Sequence, residues 1–186
     1  LFIWKRILLV LLTSFVRQFC ETHFAGLTHV VRKTIFIGVY RRMNKEDIRL
    51  VHDISTEDYN ALRDSVDFIL LKEERAKRAL ENSLYKVFLE YEGKKIGMAR
   101  VVGDGGYVYF ICDVIVHPDY QSQGLGRMII ENVLEWLRSQ LEEEGDTIMV
   151  NLMSAYGKEE FYGKLGFSRR PFGNHGAGMS QWLKLD

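Results

Sequence analysis

Apolar residues recur at steps of four from Leu125 through Ile129, Val133 and Leu137 to Leu141, with Met128 and Trp136 beside them. That stripe predicts a helix with one face in the core, ending at the acidic run Glu142-Glu143-Glu144 before Gly145. Earlier in the chain the period changes. Ile48 to Asp53 alternate apolar and polar, as a half-buried strand does. Ser55-Thr56-Glu57-Asp58 reads as a capping box that opens a helix carrying Tyr59, Leu62 and Val66 on one side. An apolar connector, Phe68 to Leu71, leads to a charged, alanine-rich helix over 73–83 with Ala76, Ala79 and Leu80 inward. Tyr85–Tyr91, Lys95–Val102 and Tyr107–Val116 then read as three strands joined by tight turns at Glu92-Gly93-Lys94 and Gly103 to Gly106. Thr147–Leu152 is a further buried strand, residues 157–166 a short helix, and Phe167–Arg170 and Met179–Leu185 two closing strands. A meander followed by a strand-helix-strand crossover gives an α/β (α+β) domain with a mixed, mostly antiparallel sheet of about six to seven strands and about four helices.

Length and composition sharpen that outline. A chain of 186 residues suits one domain of ordinary size. Its two cysteines, Cys20 and Cys112, make no disulfide framework, and neither a CxxC nor a histidine pair indicates a metal. A reducing compartment, the cytoplasm, is expected. The zero net charge hides an asymmetry: residues 1–42 carry seven Lys or Arg against one acid, leaving 18 basic and 24 acidic side chains for residues 43–186. Residues 1–42 therefore read as an N-terminal extension, with upstream sequence translated in frame and a targeting or anchoring segment as the alternatives. The apolar run Ile7–Val16 is short for a membrane span, which needs about 20 residues. Residues 43–186 are expected to be the folded domain, without a membrane segment. Their acidity and lack of a basic, aromatic-interleaved stripe speak against a nucleic-acid partner.

The candidate chemistry starts at Cys112 to Arg127, CDVIVHPDYQSQGLGR. An apolar strand runs through a polar loop into a helix start bearing two glycines. First-turn amides there have no intrahelical partner and suit an anion such as a phosphate. The spacing excludes the mononucleotide loop GxxxxGK and the dinucleotide turn GxGxxG. A second stretch, FYGKLGF at 161–167, places Phe161 and Leu165 four apart, facing the core. Tyr162, about 100° away from Phe161, is free for the cleft side, and Gly166 suits the left-handed position after the helix.

Together, Gln121-Ser122-Gln123-Gly124-Leu125-Gly126 after VHPDY, and FYxKLGF downstream, resemble the paired motifs of the GNAT superfamily of N-acetyltransferases. The resemblance covers roughly Asp47 to Leu185. It implies acetyl-CoA as cosubstrate, a primary amine of a small molecule or peptide as acceptor, no metal, and a monomer or homodimer. It implies that the strand edge at Val114, Ile115 and Val116 takes the pantetheine amides. The loop of Gln121, Ser122, Gln123, Gly124, Leu125, Gly126 and Arg127 would hold the pyrophosphate. Tyr162 would be the acid that protonates the departing sulfur. The family's usual Asn and Ala upstream of the FY pair are replaced by Ala155-Tyr156-Gly157-Lys158. Asp113, the acid of the central strand, is expected to bond backbone groups at a strand splay rather than to act as base. Arg170, Asn174 and His175 are substrate-site candidates. A non-catalytic acetyl-CoA sensor is the alternative reading.

Overall fold

A computed structural model describes residues 43–183, and the expectation for residues 1–42 lies outside the described residues. The chain divides into two units, Leu1–Met43 and Asn44–Asp186. In the second, a 3-10 turn at Lys45–Asp47 leads into β1 (Arg49–Val51), then α1 (Thr56–Asp64) and α2 (Glu73–Glu81). The meander follows as β2 (Tyr85–Tyr91), β3 (Lys94–Gly103) and β4 (Val108–Val116). A 3-10 turn at Pro118–Tyr120, α3 (Leu125–Arg138), β5 (Met149–Leu152) and α4 (Glu159–Gly163) complete the order.

Five strands form one sheet in sequence order, antiparallel except where β5 joins β4 in parallel. Turn chemistry sets the register. Glu92 and Gly93 both have positive φ, 49° and 75°, which matches the twist of a two-residue hairpin. At the next turn the Asp104 carboxylate accepts the amides of Gly106, Tyr107 and Val108. Ser55 caps α1 as expected, its hydroxyl accepting from the Asp58 amide at 3.0 Å.

Side-chain alternation divides the core between two layers. Phe88, Met98 and Ile115 face α1 and α2 and pack with Tyr59, Leu62, Ala76 and Leu80. On the other face α3 buries Leu125, Ile129, Ile130, Val133 and Leu137. It lies so close that a Cβ on Gly97 would come within 3.0 Å of both Ile129 and the Ile115 carbonyl. Between the pairs Arg100↔Cys112 and Met98↔Ile115 there is one more residue on β4 than on β3. Asp113, at φ 50°, lies in this bulge.

Three expectations are corrected. Helix α3 ends at Arg138, so Leu141, the last residue of the stripe, lies beyond it and is 40% exposed. β1 is an edge strand without the buried alternate face, and Leu50 is exposed. Neither Phe167–Arg170 nor the described part of Met179–Leu185 pairs as a strand. Phe167–Arg170 has one apolar side chain to pack, and the glycine-rich stretch after it carries few more. Met179, Trp182 and Leu183 stand exposed, and the pairing between 167 and 183 is one bridge, Phe172↔His175.

Candidate active site

β4 and β5 pair only from Val108↔Met149 to Ile111↔Leu152. β5 then ends while β4 runs on to Val116, so among the described residues the backbone from Cys112 to Val116 has no strand partner on that side. Val114, Ile115 and Val116 thus lie on an opened strand edge, whose free amides and carbonyls can take an extended amide-bearing chain. The edge is closed at its far end by Gln121, whose side-chain amide donates to the Val116 carbonyl at 2.9 Å. That bond makes Gln121 a brace of the loop.

The loop from strand to helix is built from unusual backbone. Ser122 has φ 60° and Gly124 φ 84°, both in the left-handed region, which costs a serine more than a glycine. Gly124 is the N-cap of α3, and its carbonyl accepts the Met128 amide at 3.1 Å. The amides of Leu125, Gly126 and Arg127 have no intrahelical acceptor and carry the positive end of a 14-residue helix. The Arg127 guanidinium is drawn one turn along the helix by Glu131 at 3.2 Å.

The sequence reading missed Lys45. Its ammonium lies 3.1 Å from the point where a Cβ on Gly124 would sit. The 3-10 turn fixes its backbone, with the Asn44 side chain capping Glu46 and the Ile48 amide bonded to the Lys45 carbonyl. No described carboxylate pairs with that ammonium. Nothing local in the sequence signals this approach, because 79 residues separate the two positions.

The two sequence motifs meet at Gly126. A Cβ there would touch the Phe161 ring at 3.4 Å and the Val116 methyl at 4.0 Å. This places the start of α4 against the end of β4. Gly166 takes the left-handed position at φ 93°, as expected. The orientation of the helix differs from expectation: Tyr162 is the buried residue, at 9% exposure, whereas Phe161 and Leu165 are half-buried. Phe161 and Phe167 pack edge-on against the Tyr162 ring, and burial pushes its phenol above the ordinary value. Arg170 and its neighbours form their own turn, with the Arg170 Nε donating to the Gly176 carbonyl at 2.9 Å and Asn174 and His175 exposed.

Asp113 bonds side chains rather than the backbone groups expected. Its carboxylate accepts from the Tyr59 hydroxyl at 2.5 Å, Arg63 at 2.7 Å and the Arg100 Nε at 2.8 Å. Burial alone would raise its pKa, yet the Tyr59 hydrogen bond and the charges of Arg100 and Arg63 outweigh burial and hold it below the ordinary carboxylate value. Burial first, then the Asp113 hydrogen bond, push Tyr59 up to about 12. Burial pushes the Cys112 thiol up to about 11, so it is a poor nucleophile. One signal could have revealed this cluster. Arg100 stands alone in the apolar run KIGMARVV and must find an acid, and Asp113 is the acid on the neighbouring strand.

Comparison with known proteins gives a consistent result. Residues 48–167 match the family model described as Acetyltransferase (GNAT) family. The chain is 30% identical over 148 residues to an uncharacterized N-acetyltransferase, ycf52, of Pyropia yezoensis, covering 77% of this chain and 78% of that protein. It is 34% identical to serotonin N-acetyltransferase 2, chloroplastic, of Oryza sativa subsp. japonica, over 57% of this chain and 52% of that one. Among solved structures, a probable acetyltransferase from meticillin-resistant Staphylococcus aureus superposes with a TM-score of 0.64 at 31% identity, covering 73% of this chain and 99% of that one.

Proposed function

Because the chain belongs to the acetyltransferase (GNAT) family, we propose that it moves the acetyl group of acetyl-CoA directly to a primary amine of a small molecule or peptide. The observation that carries this reading is the meeting of the two motifs at Gly126, beside a β4 edge that loses its partner after Ile111. Pantetheine amides extend along Val114 to Val116. The diphosphate rests on the amides at 124–127, where the positive end of α3 favours an anion, and the Lys45 ammonium faces it.

In the reaction the amine nitrogen bonds the thioester carbon, the C–S bond breaks, nitrogen loses a proton and sulfur gains one. Tyr162 supplies the proton at sulfur. Reference values of about 10 for a phenol and 8.5 for a thiol make full transfer uphill by roughly 2 kcal/mol. The phenol therefore gives up its proton only as the thiolate leaves, and its raised pKa keeps it protonated until then. No covalent enzyme intermediate is needed.

The working setting proposed is the cytoplasm. Relatives named chloroplastic in rice and Arabidopsis thaliana favour a plastid as the second reading. Calorimetric titration with acetyl-CoA, followed by an assay against a panel of primary amines, tests the function. Micromolar binding with CoA release is the expected result. Binding without turnover on any amine supports a non-catalytic sensor, and absence of binding removes the donor assignment.

A further inference from the structure

Lys45 stands outside both motifs, in the 3-10 turn ahead of β1, yet its ammonium lies 3.1 Å from the point where a Cβ on Gly124 would sit. Gly124 is the N-cap of α3, so the ammonium faces the positive end of a 14-residue helix, equivalent to about half an elementary charge. Two positive ends converge there. Glu46 and Asp47, the acids of the same turn, form no ion pair with the ammonium. Like charges repel, so this approach is stabilised by an anion held between them. Gly124, at φ 84° and without a Cβ, keeps the space between ammonium and helix clear.

The segment that carries Lys45 is weakly anchored. Residues 44–50 are exposed except for the half-buried Ile48. The bonds of the turn are internal: the Asn44 side chain accepts the Glu46 amide at 3.4 Å, the Asn44 carbonyl the Asp47 amide at 3.1 Å, and the Lys45 carbonyl the Ile48 amide at 3.2 Å. Among the described residues, no hydrogen bond or ion pair joins 44–48 to another element. β1 itself has three residues, none of them buried, and pairs with β2 alone, from Arg49↔Glu90 to Val51↔Phe88. A segment with so few buried contacts opens at low cost, so one added contact changes its opening measurably.

We propose that residues 44–51 form a strap over the donor site with Lys45 as its clasp: the donor's diphosphate accepts from the Lys45 ammonium and the α3 amides together, and so fastens the strap to the helix. The inference rests on the acetyl-CoA reading and adds to it a positioning residue and a coupling. A diphosphate carries free oxygens on both phosphorus atoms and serves both sets of donors at once. The coupling is reciprocal, because the factor by which the donor suppresses opening of the strap equals the factor by which the closed strap strengthens donor binding. For one exposed charge-assisted contact that factor is about three- to tenfold. A pantetheine chain on the β4 edge alone carries no anion to Lys45 and leaves the strap as it is.

The test is amide hydrogen exchange on the full chain, alone and with saturating CoA, dephospho-CoA or pantetheine. The Asp47 and Ile48 amides report the strap, and those of 121–127 report the loop. CoA and dephospho-CoA are each expected to slow exchange at Asp47 and Ile48 by about three- to tenfold, and pantetheine by less than about twofold. In Lys45→Ala, saturating CoA should still protect 121–127 but no longer Asp47 and Ile48, and the calorimetric affinity should fall by the same factor to within about twofold. Lys45→Arg, which keeps the charge, should retain the protection. Protection of 121–127 without protection of Asp47 and Ile48 in the parent overturns the strap and leaves the donor site standing. Undiminished protection in Lys45→Ala, its loss in Lys45→Arg, or protection by CoA but not by dephospho-CoA overturns it equally. Absence of both binding heat and protection at 121–127 removes the donor reading and the strap with it.

Discussion

Replacing Asp113 with Asn isolates the charge at the β4 bulge. Asparagine has nearly the same shape and tolerates the left-handed backbone that Asp113 adopts at φ 50°, so the bulge itself is not the variable. What changes is the partner of two guanidiniums whose side chains are only 11% and 10% exposed. Removing one member of a buried ion pair costs about 3–5 kcal/mol. The lower end applies here, because Arg63 keeps the Ile69 carbonyl, and Arg100 keeps the Ala79 carbonyl and the Ser83 hydroxyl. A loss of about 3 kcal/mol lowers the thermal midpoint by roughly 6–12 °C for a domain of this size. Urea unfolding at neutral pH reads the free energy, and the same measurement in acid checks its origin. The Asp113 pKa is lowered in the fold. Its stabilisation is therefore fully present above the unfolded carboxyl value of about 3.9 and fades as pH falls through the still lower folded value. The gap between parent and variant should shrink as pH drops from 5 toward 3. A loss below about 1 kcal/mol, or a gap that stays constant into acid, would refute the buried-pair account.

Tyr162→Phe is expected to lower kcat by about 10²–10³-fold while leaving acetyl-CoA affinity within a few-fold; an unchanged rate in single-turnover chemistry removes the phenol from the acid role. Lys45→Ala should weaken acetyl-CoA binding by about three- to tenfold and flatten its dependence on salt, with no effect on pantetheine-only analogues. Equal weakening of both ligands would place the lysine's role in the fold instead. Because Asp113 is filled with donors, kcat/KM should rise with pH along the acceptor amine's own ionisation and shift from amine to amine. A limb fixed at one carboxylate-like value for every acceptor would restore Asp113 as base.

How much of this was legible in the sequence depends on whether the determinant was local. The turn at Glu92-Gly93, the Ser55 cap, the helix from Leu125 and the left-handed Gly166 each depend on residues within a few positions, and each is found where its pattern places it. Leu141 was misplaced because the spacing of four continues past the residue where the helix ends. The two closing strands were misplaced for a different reason. Alternation in MSQWLKL reports a capacity for one-sided burial, and pairing requires a neighbouring strand that periodicity cannot name. The orientation of Tyr162 was not legible, since a helix as short as Glu159–Gly163 takes its orientation from the Gly126 and Phe167 contacts rather than from its own stripe. Lys45 and the Arg63–Asp113 pair needed the tertiary fold, one reaching Gly124 and the other joining residues 50 apart in the chain.

The bulge bears on the hardest proton in the proposed reaction. An alkylamine with a pKa near 10.4 is mostly an ammonium at pH 7, and freeing it costs roughly 4–5 kcal/mol. A carboxylate beside the thioester could take that proton, but Asp113 already accepts three donors and has its pKa held down. With Tyr59 and Cys112 both pushed well above neutrality, the cluster is two guanidiniums against one carboxylate. Its excess positive charge acts the opposite way to a base. A cation seated about 8–10 Å from it would be disfavoured by on the order of 2 kcal/mol at an effective dielectric near 20. An amine that sheds its proton to water before seating is favoured by that field. On the proposed reaction, the Arg63, Arg100 and Asp113 cluster thus favours the uncharged form of the acceptor.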